Sequence, residues 1–156
     1  MKYLPGGQPI SREQLDGAFE RGAKLWEDHG YDLWVVCDRA TEELIGHCGL
    51  RFLDEVGETE VLYGLGRRYW GRGLATEAAR AALGFGFGFD RPGLKRIVAF
   101  AVPANIASRK VMEHLGMRLE GETQLFGLDL ARYAVGPDEF IAAMGDGAPA
   151  SQAPGG

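Results

Sequence analysis

Residues 68–76 read Arg-Tyr-Trp-Gly-Arg-Gly-Leu-Ala-Thr, and this stretch joins an apolar, strand-like run to an alanine-rich helical one. The first N–H groups of a helix have no partner within the helix and carry a partial positive charge, so such a helix start favours a bound anion. Gly71 and Gly73 allow the main chain to approach that anion without a Cβ in the way. The stretch therefore predicts a strand, an anion-binding turn and a helix, in that order.

Three arginines favour the anion site over a plainer interpretation. Glycine accounts for 24 of the 156 residues, so a Gly-x-Gly turn by itself is weak evidence in this chain. Arg67, Arg68 and Arg72 nevertheless gather three cations in a chain whose formal net charge is −5. The alternative is that they are ordinary solvated arginines, which are slightly unfavourable beside a helix start. A bound polyanion would remove that penalty.

The spacing of the turn excludes two common phosphate-binding motifs. No Gly-x-x-x-x-Gly-Lys-Ser/Thr sequence of a Walker loop occurs in the chain. A dinucleotide fingerprint, Gly-x-Gly-x-x-Gly, would need its third glycine at the position of Thr76. A second motif lies farther along, where residues 103–117 read Pro-Ala-Asn-Ile-Ala-Ser-Arg-Lys-Val-Met-Glu-His-Leu-Gly-Met.

Together the two motifs resemble those of the GNAT superfamily, the acetyl-CoA-dependent N-acetyltransferases. The turn matches the family's pyrophosphate-loop pattern, Gln/Arg-x-x-Gly-x-Gly/Ala, at Arg68, Gly71 and Gly73, and residues 103–117 match its later strand-to-helix segment. The sequences of the two motifs are similar to those of the branch that contains the ribosomal-protein serine and alanine N-acetyltransferases. The resemblance extends over residues 3–144. The resemblance implies an α/β (α+β) GNAT fold, with a twisted, mostly antiparallel mixed sheet flanked by helices. It also implies acetyl-CoA as donor and a primary amine, on a peptide N-terminus or a small molecule, as acceptor.

The resemblance further implies which residues bind the coenzyme. The strand ending near Leu65 is expected to part from the strand at 94–102, so that the pantetheine arm enters the gap like an added strand. The main chain at 65–67 would bond the pantetheine and polarise the thioester carbonyl, and residues 71–76 would cradle the pyrophosphate. For Asn105 a plain helix cap is the alternative, and both roles can coexist. The expected coenzyme-binding residues are Leu65, Gly66, Arg67, Arg68, Gly71, Arg72, Gly73, Leu74, Ala75, Thr76, Asn105 and Ser108.

Two residues are candidates for acid–base catalysis, because attack of an amine on a thioester needs a deprotonated nucleophile. Glu60 lies on the strand leading into the site, where related enzymes often carry an acid; the alternative, with Glu55 and Glu58 close by in sequence, is an exposed strand carboxylate. Many family members protonate the leaving thiolate with a tyrosine, but Met112 stands at that position. Ser108 could donate in its place, unless a small residue there simply fits under the coenzyme.

Composition indicates one cytoplasmic domain. The chain has 156 residues, of which 46% are hydrophobic, enough for one core. It has no run of roughly 18 apolar residues and no signal peptide, so no membrane contact is expected, and its negative net charge argues against nucleic-acid binding. Cys37 and Cys48 lie in apolar, strand-like sequence, which indicates buried thiols rather than a disulfide. Because His29, His47 and His114 lack ligand spacing, no metal is expected.

Sequence periodicity predicts the elements of the fold. Residues 84–89 alternate glycine and phenylalanine with the period of a strand, and a glycine inside a helix costs about 1 kcal/mol relative to alanine. The alternation nevertheless continues an alanine-rich helical run, so a helix is predicted, with Phe85 and Phe89 on one face. The predicted helices are 11–28, with Phe19 and Leu25 on its apolar side, 73–88, 105–115 and 137–144. The predicted strands are 31–37, 43–52, 59–66, 94–102, 117–122 and 126–135.

The two ends of the chain carry separate predictions. The acetyltransferase domain is expected at 1–144 and a disordered tail at 145–156, where glycine, alanine, proline and serine dominate. Family members usually begin with another strand and helix, so the first strand and helix of the fold are expected to be absent. A trimmed or mis-started chain is preferred over an open sheet edge covered by a partner. A monomer or a homodimer is expected.

Three classes of function are compatible with these patterns. The first is an N-acetyltransferase. The second is a non-catalytic acyl-CoA-binding module or sensor, which Met112 and the short chain start favour. The third is a structural or interaction protein in which the glycine loop is only a tight turn. Binding of acetyl-CoA separates the third from the others, and thiol release separates the first from the second.

Overall fold

The computed structural model describes residues 11–88 and 92–147, which form a six-stranded sheet with helices packed against it. The α-helices in these ranges are α1 (Arg12–His29), α2 (Leu74–Gly86), α3 (Ile106–His114) and α4 (Pro137–Gly147). The strands are β1 (Leu33–Cys37), β2 (Leu44–Leu53), β3 (Glu58–Leu65), β4 (Ile97–Ala101), β5 (Arg118–Leu125) and β6 (Leu128–Val135). A 3₁₀ turn at Arg67–Tyr69 lies between β3 and α2. The predicted elements are therefore present, with bounds that differ by a few residues.

The sheet is mixed and mostly antiparallel, as predicted. Its strand order is β1-β2-β3-β4-β6-β5. β3 and β4 are parallel, whereas the other neighbouring pairs of strands are antiparallel. Because β3 and β4 are parallel, their carboxyl ends lie at the same edge of the sheet, and α2 and α3, which follow them, both begin there. Ligands commonly bind at such an edge.

One face of the sheet carries the main core. Leu50, Val61 and Ile97, from three adjacent central strands, are buried together with Leu83 of α2 and Met112 of α3. Because successive side chains of a strand point to opposite faces, Glu60 lies on the other face from Val61. We refer to these two sides as the helix face and the Glu60 face. The main core thus fixes α2 and α3 against the helix face.

The alternating glycines and phenylalanines of α2 are helical to Gly86, as the preceding alanine run predicted. Ala82, Leu83 and Gly86 are buried at the spacing of one helix face, and that burial outweighs the strand-like alternation. Phe85 stays on the outside and meets Trp34 edge to face, with ring centroids 5.1 Å apart. Phe89, expected beside it, lies outside the described residues. Tertiary packing therefore decides between the two periodicities.

Replacing the two glycines Gly84 and Gly86 of α2 separately is expected to have opposite effects on stability. A Cβ at Gly86 would lie 2.8 Å from Cδ1 of both Ile97 and Leu50, which are fully buried, so Gly86→Ala should lower the free energy of unfolding by about 1–3 kcal/mol. A Cβ at Gly84 meets no atom within 4 Å. Gly84→Ala should therefore raise the free energy of unfolding by about 0.5–1 kcal/mol. Urea denaturation of both variants tests this, and equal effects would contradict the packing argument.

Four charged residues form a closed ring of ion pairs on the Glu60 face. Arg96 Nε lies 2.7 Å from Glu58 Oε1, and Arg132 Nε lies 3.1 Å from Glu120 Oε1. Arg96 also pairs with Glu120, and Arg132 with Glu58. These ion pairs are partly exposed to solvent, and surface pairs contribute little individually. As a ring they connect the start of β3 to the segment before β4 and to β5 and β6.

Some predictions about exposure and boundaries differ from the structure. Phe19 is 69% exposed, so the apolar side of α1 is not uniformly packed. Cys48 is buried, which raises the pKa of its thiol to about 12, but Cys37 is exposed, so the prediction of two buried thiols is right for Cys48 alone. α4 continues to Gly147, three residues beyond the expected domain end, and 148–156 lie outside the described residues. Within 11–88 and 92–147, no helix is both long and apolar enough to span a membrane.

Candidate active site

The two parallel strands part just beyond Glu60. β3 and β4 share one register pair, Glu60 with Val98, although β3 continues to Leu65 and β4 to Ala101. The parting agrees with the gap expected between these strands.

The main-chain N–H groups of β3 line this gap. In an antiparallel ladder, the N–H groups of alternate residues point to the partner strand. Because the Gly66 N–H donates to the Ile45 carbonyl of β2 at 2.9 Å, the N–H groups of Tyr63 and Leu65 point the other way, toward β4. β4 has no register partner for these two residues. Their N–H groups are therefore free to bind an extended ligand in the gap.

The turn after β3 is built on aromatic side chains. Tyr69 is buried, and its hydroxyl accepts a hydrogen bond of 2.6 Å from Arg68 Nη2. The indole Nε1 of Trp70 donates to the Leu65 carbonyl at 2.9 Å, at the open end of the gap. The guanidinium of Arg72 lies 5.9 Å from the Tyr69 ring centroid. Tyr69 and Trp70 thus fix the path of the chain from β3 into α2.

The start of α2 has the geometry of an anion site. Gly71 and Gly73 both have φ of +74°, a left-handed conformation that favours glycine. Gly73 is the N-cap residue and supplies no side-chain hydrogen bond. The first-turn N–H groups at Leu74, Ala75 and Thr76 therefore lack the side-chain partner that a capped helix has.

The three arginines of the turn are not equivalent. Arg68 forms an ion pair with Glu43, so its guanidinium is partly neutralised. Arg67 lies 5.8 Å from the Trp70 ring centroid, and neither Arg67 nor Arg72 has an ion-pair partner among the described residues. The structure therefore favours Arg67 and Arg72 as cations for a ligand. The expected contact of Arg68 with phosphate stays a prediction, one that requires competition with Glu43.

The start of α3 is fastened across the gap to β3. Asn105 is its N-cap, with Oδ1 accepting from the Ser108 N–H at 3.2 Å, so the capping role is real. The Tyr63 hydroxyl lies 3.0 Å from both the carbonyl oxygen and Oγ of Ser108. Burial raises the pKa of Tyr63 to about 12, so the phenol is protonated at neutral pH. Sequence reasoning missed Tyr63, although its place two residues after the core residue Val61 puts it on the helix face.

Substitutions at Tyr63 and Ser108 should differ in their effects on stability. Tyr63→Phe removes the hydroxyl that joins β3 to α3 and should lower the free energy of unfolding by about 1 kcal/mol. Ser108→Ala leaves the Ser108 carbonyl as an acceptor, so its effect should be smaller. Thermal unfolding of the two variants measures the difference. A larger loss for Ser108→Ala would contradict this account of the bond.

Met112, which stands where many family members carry the tyrosine acid, is part of the main core. Met112 is 1% exposed and packs with the buried residues of the sheet. No substitute acid is therefore supplied from this position. Ser108, with its hydroxyl bonded to Tyr63, is a polar side chain that α3 contributes beside the gap.

Glu60 is buried on the face of the sheet opposite Tyr63 and Ser108. It is 8% exposed and lies between Arg51 of β2 and Val98 of β4 in register. The pKa of Glu60 is raised to about 7, mainly by burial; Arg51 opposes this shift and Glu55 contributes to it. The alternative of an exposed strand carboxylate is therefore wrong. A carboxylate that titrates near neutrality can accept a proton at physiological pH.

Other features of the described residues lie apart from this gap. An open cavity of about 470 Å³ lies between the C-terminal end of α3 and α4, lined by Glu113, Met117, Arg118, Asp138 and Glu139 among others. It is at the other end of α3 from Asn105 and Ser108. In residues 11–88 and 92–147, no group of three His, Cys, Asp or Glu side chains could hold a metal ion.

Comparisons with known proteins identify a family for this chain. Residues 1–118 match the family described as "Acetyltransferase (GNAT) domain". The uncharacterized protein YkkB of Bacillus subtilis is 35% identical over 107 residues, covering 67% of this chain and 61% of YkkB. The uncharacterized N-acetyltransferase p20 of Bacillus licheniformis is 39% identical over 84 residues, covering 53% of this chain and 46% of p20. The chain thus spans about half to two thirds of the length of these relatives.

A solved structure has the same fold. The ribosomal-protein-S5-alanine acetyltransferase of Vibrio fischeri superposes with a TM-score of 0.68 over 87% of this chain and 80% of that one. The two are 23% identical, so this likeness concerns the fold. The family match covers the parted strands, the glycine turn and both helix starts. On this evidence the chain belongs to the GNAT acetyltransferase family.

Proposed function

We propose that this protein transfers an acetyl group from acetyl-CoA to a primary amine. The observation that carries the proposal is the parting of β3 from β4 directly before an uncapped helix start. A pantetheine arm is an extended amide chain and suits the free N–H groups of Tyr63 and Leu65. A pyrophosphate suits the helix start at residues 73–76, with Arg67 and Arg72 beside it.

The two faces of the sheet suggest how the reactants are divided. Ser108 and Tyr63 lie on the helix face of the gap, and Glu60 lies on the other face. We assign the thiol side of the coenzyme to the helix face and the amine to the Glu60 face. Glu60 accepts the amine proton through water, the Leu65 N–H stabilises the oxyanion, and the Ser108 hydroxyl protonates the leaving thiolate.

The pKa of Glu60 favours an α-amine as acceptor. An α-amine with a pKa near 7.8 is roughly a tenth neutral at pH 7, whereas a lysine amine near 10.4 is neutral about once in several thousand. A base with a pKa of about 7 is well matched to the α-amine and poorly matched to the lysine amine. We therefore propose a peptide N-terminus or a small molecule with a similarly weakly basic amine.

Two measurements test the proposed function in sequence. Acetyl-CoA should raise the melting temperature in a thermal-shift assay, with ATP as the control anion; no shift would remove the coenzyme assignment. Thiol release is then followed over a panel of N-terminal peptides, amino acids and polyamines. Release with an α-amine acceptor supports the proposal. Stabilisation without release from any amine favours the acyl-CoA-binding module, the alternative to which Met112 points.

A further inference from the structure

A histidine on β2 lies beside the gap. His47 is opposite Gly64 in the β2–β3 register, on the Glu60 face. A Cβ built on Gly64 would lie 2.7 Å from Cε1 of His47 and 3.1 Å from its Nε2. The imidazole therefore occupies the space that a side chain at position 64 would take. Gly64 lies between Tyr63 and Leu65, whose N–H groups face the gap.

We propose that His47 is a second acid–base residue of the amine-transfer site, one that takes the proton directly from the attacking amine. The inference rests on the proposed function and deepens it. Gly64 is four residues beyond Glu60 on β3, about 13 Å between Cα atoms in an extended strand. Gly64 is next to Leu65 and lies under the His47 ring, so an amine that attacks a carbonyl held by the Leu65 N–H is close to His47. The same amine reaches Glu60 only through water.

The imidazole is suited to accept a proton. Among the described residues, neither ring nitrogen of His47 has a hydrogen-bond partner. His47 is half-buried, and Val35, its register partner on β1, is 72% exposed, so this part of the Glu60 face is open to an acceptor. Burial, with a contribution from Arg51, lowers the pKa of His47 below its usual value, which keeps the imidazole neutral at pH 7.

The charged groups around His47 favour onward transfer of the proton to Glu60. On this face they are Arg51 on β2, Glu60 on β3 and Asp32 before β1, together with the ring of ion pairs, while β4 presents Val98 and Phe100. The ring is formed by Glu58, Arg96, Arg132 and Glu120. Because burial lowers the pKa of His47 and raises that of Glu60 to about 7, transfer of a proton from the imidazolium to the carboxylate is favoured. The positive charge of Arg51 disfavours the protonated form of His47 and so promotes release of the proton from the imidazolium.

The amine nitrogen forms a bond to the thioester carbonyl carbon, and its proton moves to Nε2 of His47. The carbon–sulfur bond breaks with its electron pair going to sulfur. The imidazolium gives its proton through water to Glu60 and then to solvent, which restores the neutral ring. The thiolate takes one proton from the Ser108 hydroxyl, and the serine oxygen then regains a proton from solvent.

Variants at position 47 test the proposal. His47→Gln should lower kcat about 100-fold with the best acceptor, while the KM for acetyl-CoA changes less than about twofold. His47→Ala should lose a similar factor and recover part of it when 4-methylimidazole is added, a rescue that a packing role would not produce. His114→Gln, in the last turn of α3, serves as the matched histidine control and should keep the wild-type rate.

A second variant tests the position of the ring without removing it. Gly64→Ala introduces a Cβ that displaces the imidazole, and it should lower kcat while acetyl-CoA still raises the melting temperature. An active wild type together with a His47→Gln rate within threefold of it overturns the role of His47 alone. A loss in His47→Ala that 4-methylimidazole does not restore also overturns it. A wild type without thiol release from any amine overturns both this inference and the proposed function.

Discussion

Glu60→Gln is expected to lower kcat/KM for an α-amine acceptor by about 100-fold or more, within the range for loss of a general base. Because the pKa of Glu60 is about 7, the wild-type rate should fall as pH drops below 7 and the carboxylate becomes protonated. Glutamine has no such titration, so the limb that belongs to Glu60 should disappear and leave the ionisations of the amine and of His47. A pH–rate profile of kcat/KM for both proteins, from pH 5.5 to 9, measures the change.

The same substitution should make the protein more stable at alkaline pH. Folding raises the pKa of Glu60 from 4.5 to about 7, so the stabilising contribution of this group is fully present below pH 4.5 and is lost as pH rises through 7. A raised pKa of this size corresponds to about 3 kcal/mol at most. Above pH 8 the wild type carries a buried charge that Glu60→Gln lacks, and the variant should therefore melt at a higher temperature.

Glu55→Gln is the matched control for both measurements. Glu55 is an exposed carboxylate in the turn between β2 and β3, close enough to influence Glu60 electrostatically. Its loss should shift the acidic limb slightly toward lower pH and leave the rate at pH 8 unchanged. If Glu60→Gln keeps the wild-type rate at pH 6, where the amine is mostly protonated, Glu60 is not the base.

Gly73→Ala is expected to weaken acetyl-CoA binding about 10- to 100-fold. Gly73 has φ of +74°, and an alanine in this left-handed conformation costs roughly 1–2 kcal/mol. A Cβ at this position meets no atom within 4 Å, so the effect comes from the backbone and not from a steric clash. Relaxation of the strained turn would move the first N–H groups of α2 away from the phosphates, and each charge-assisted hydrogen bond is worth about 1.5–3 kcal/mol.

Gly84→Ala provides a control in the same helix. Gly84 lies in the interior of α2, away from the turn, and alanine there should leave the dissociation constant unchanged. Isothermal titration of acetyl-CoA into wild type and both variants, at two salt concentrations, measures the difference. The loss for Gly73→Ala should be larger at low salt, because screening weakens the phosphate contacts. Equal affinities for wild type and Gly73→Ala would contradict the anion site.

The local sequence was sufficient to predict most elements of the fold. The Arg-x-x-Gly-x-Gly turn and the segment after Pro103 each join a strand to a helix, and both junctions are present. Gly71 and Gly73 take the positive φ for which glycine is suited. The helix from Leu74 to Gly86 was harder to predict, because its glycine–phenylalanine alternation has a strand period and only packing against Leu50 and Ile97 resolves it.

The candidate site was predictable in part for the same reason. The residues predicted to bind the coenzyme follow one another in two short motifs, so the local sequence contains them, and their contacts with acetyl-CoA stay predictions. Tyr63 and His47 were not found, because each gains its place from a partner strand or helix distant in sequence. Tyr63 meets Ser108 across 45 residues, and His47 meets Gly64 through strand register.

The sequence by itself determined the order of strands and helices and the glycine turn, because these depend on contacts between neighbouring residues. Acetyl-CoA as the donor followed from the resemblance of the two motifs to those of the family. Tertiary structure alone decided the burial of Glu60, the parting of β3 from β4 beyond one register pair, and the position of His47 over Gly64. Burial and register arise when distant segments pack together. The pKa of a carboxylate and the width of a gap between strands depend on that packing, and local sequence does not encode it.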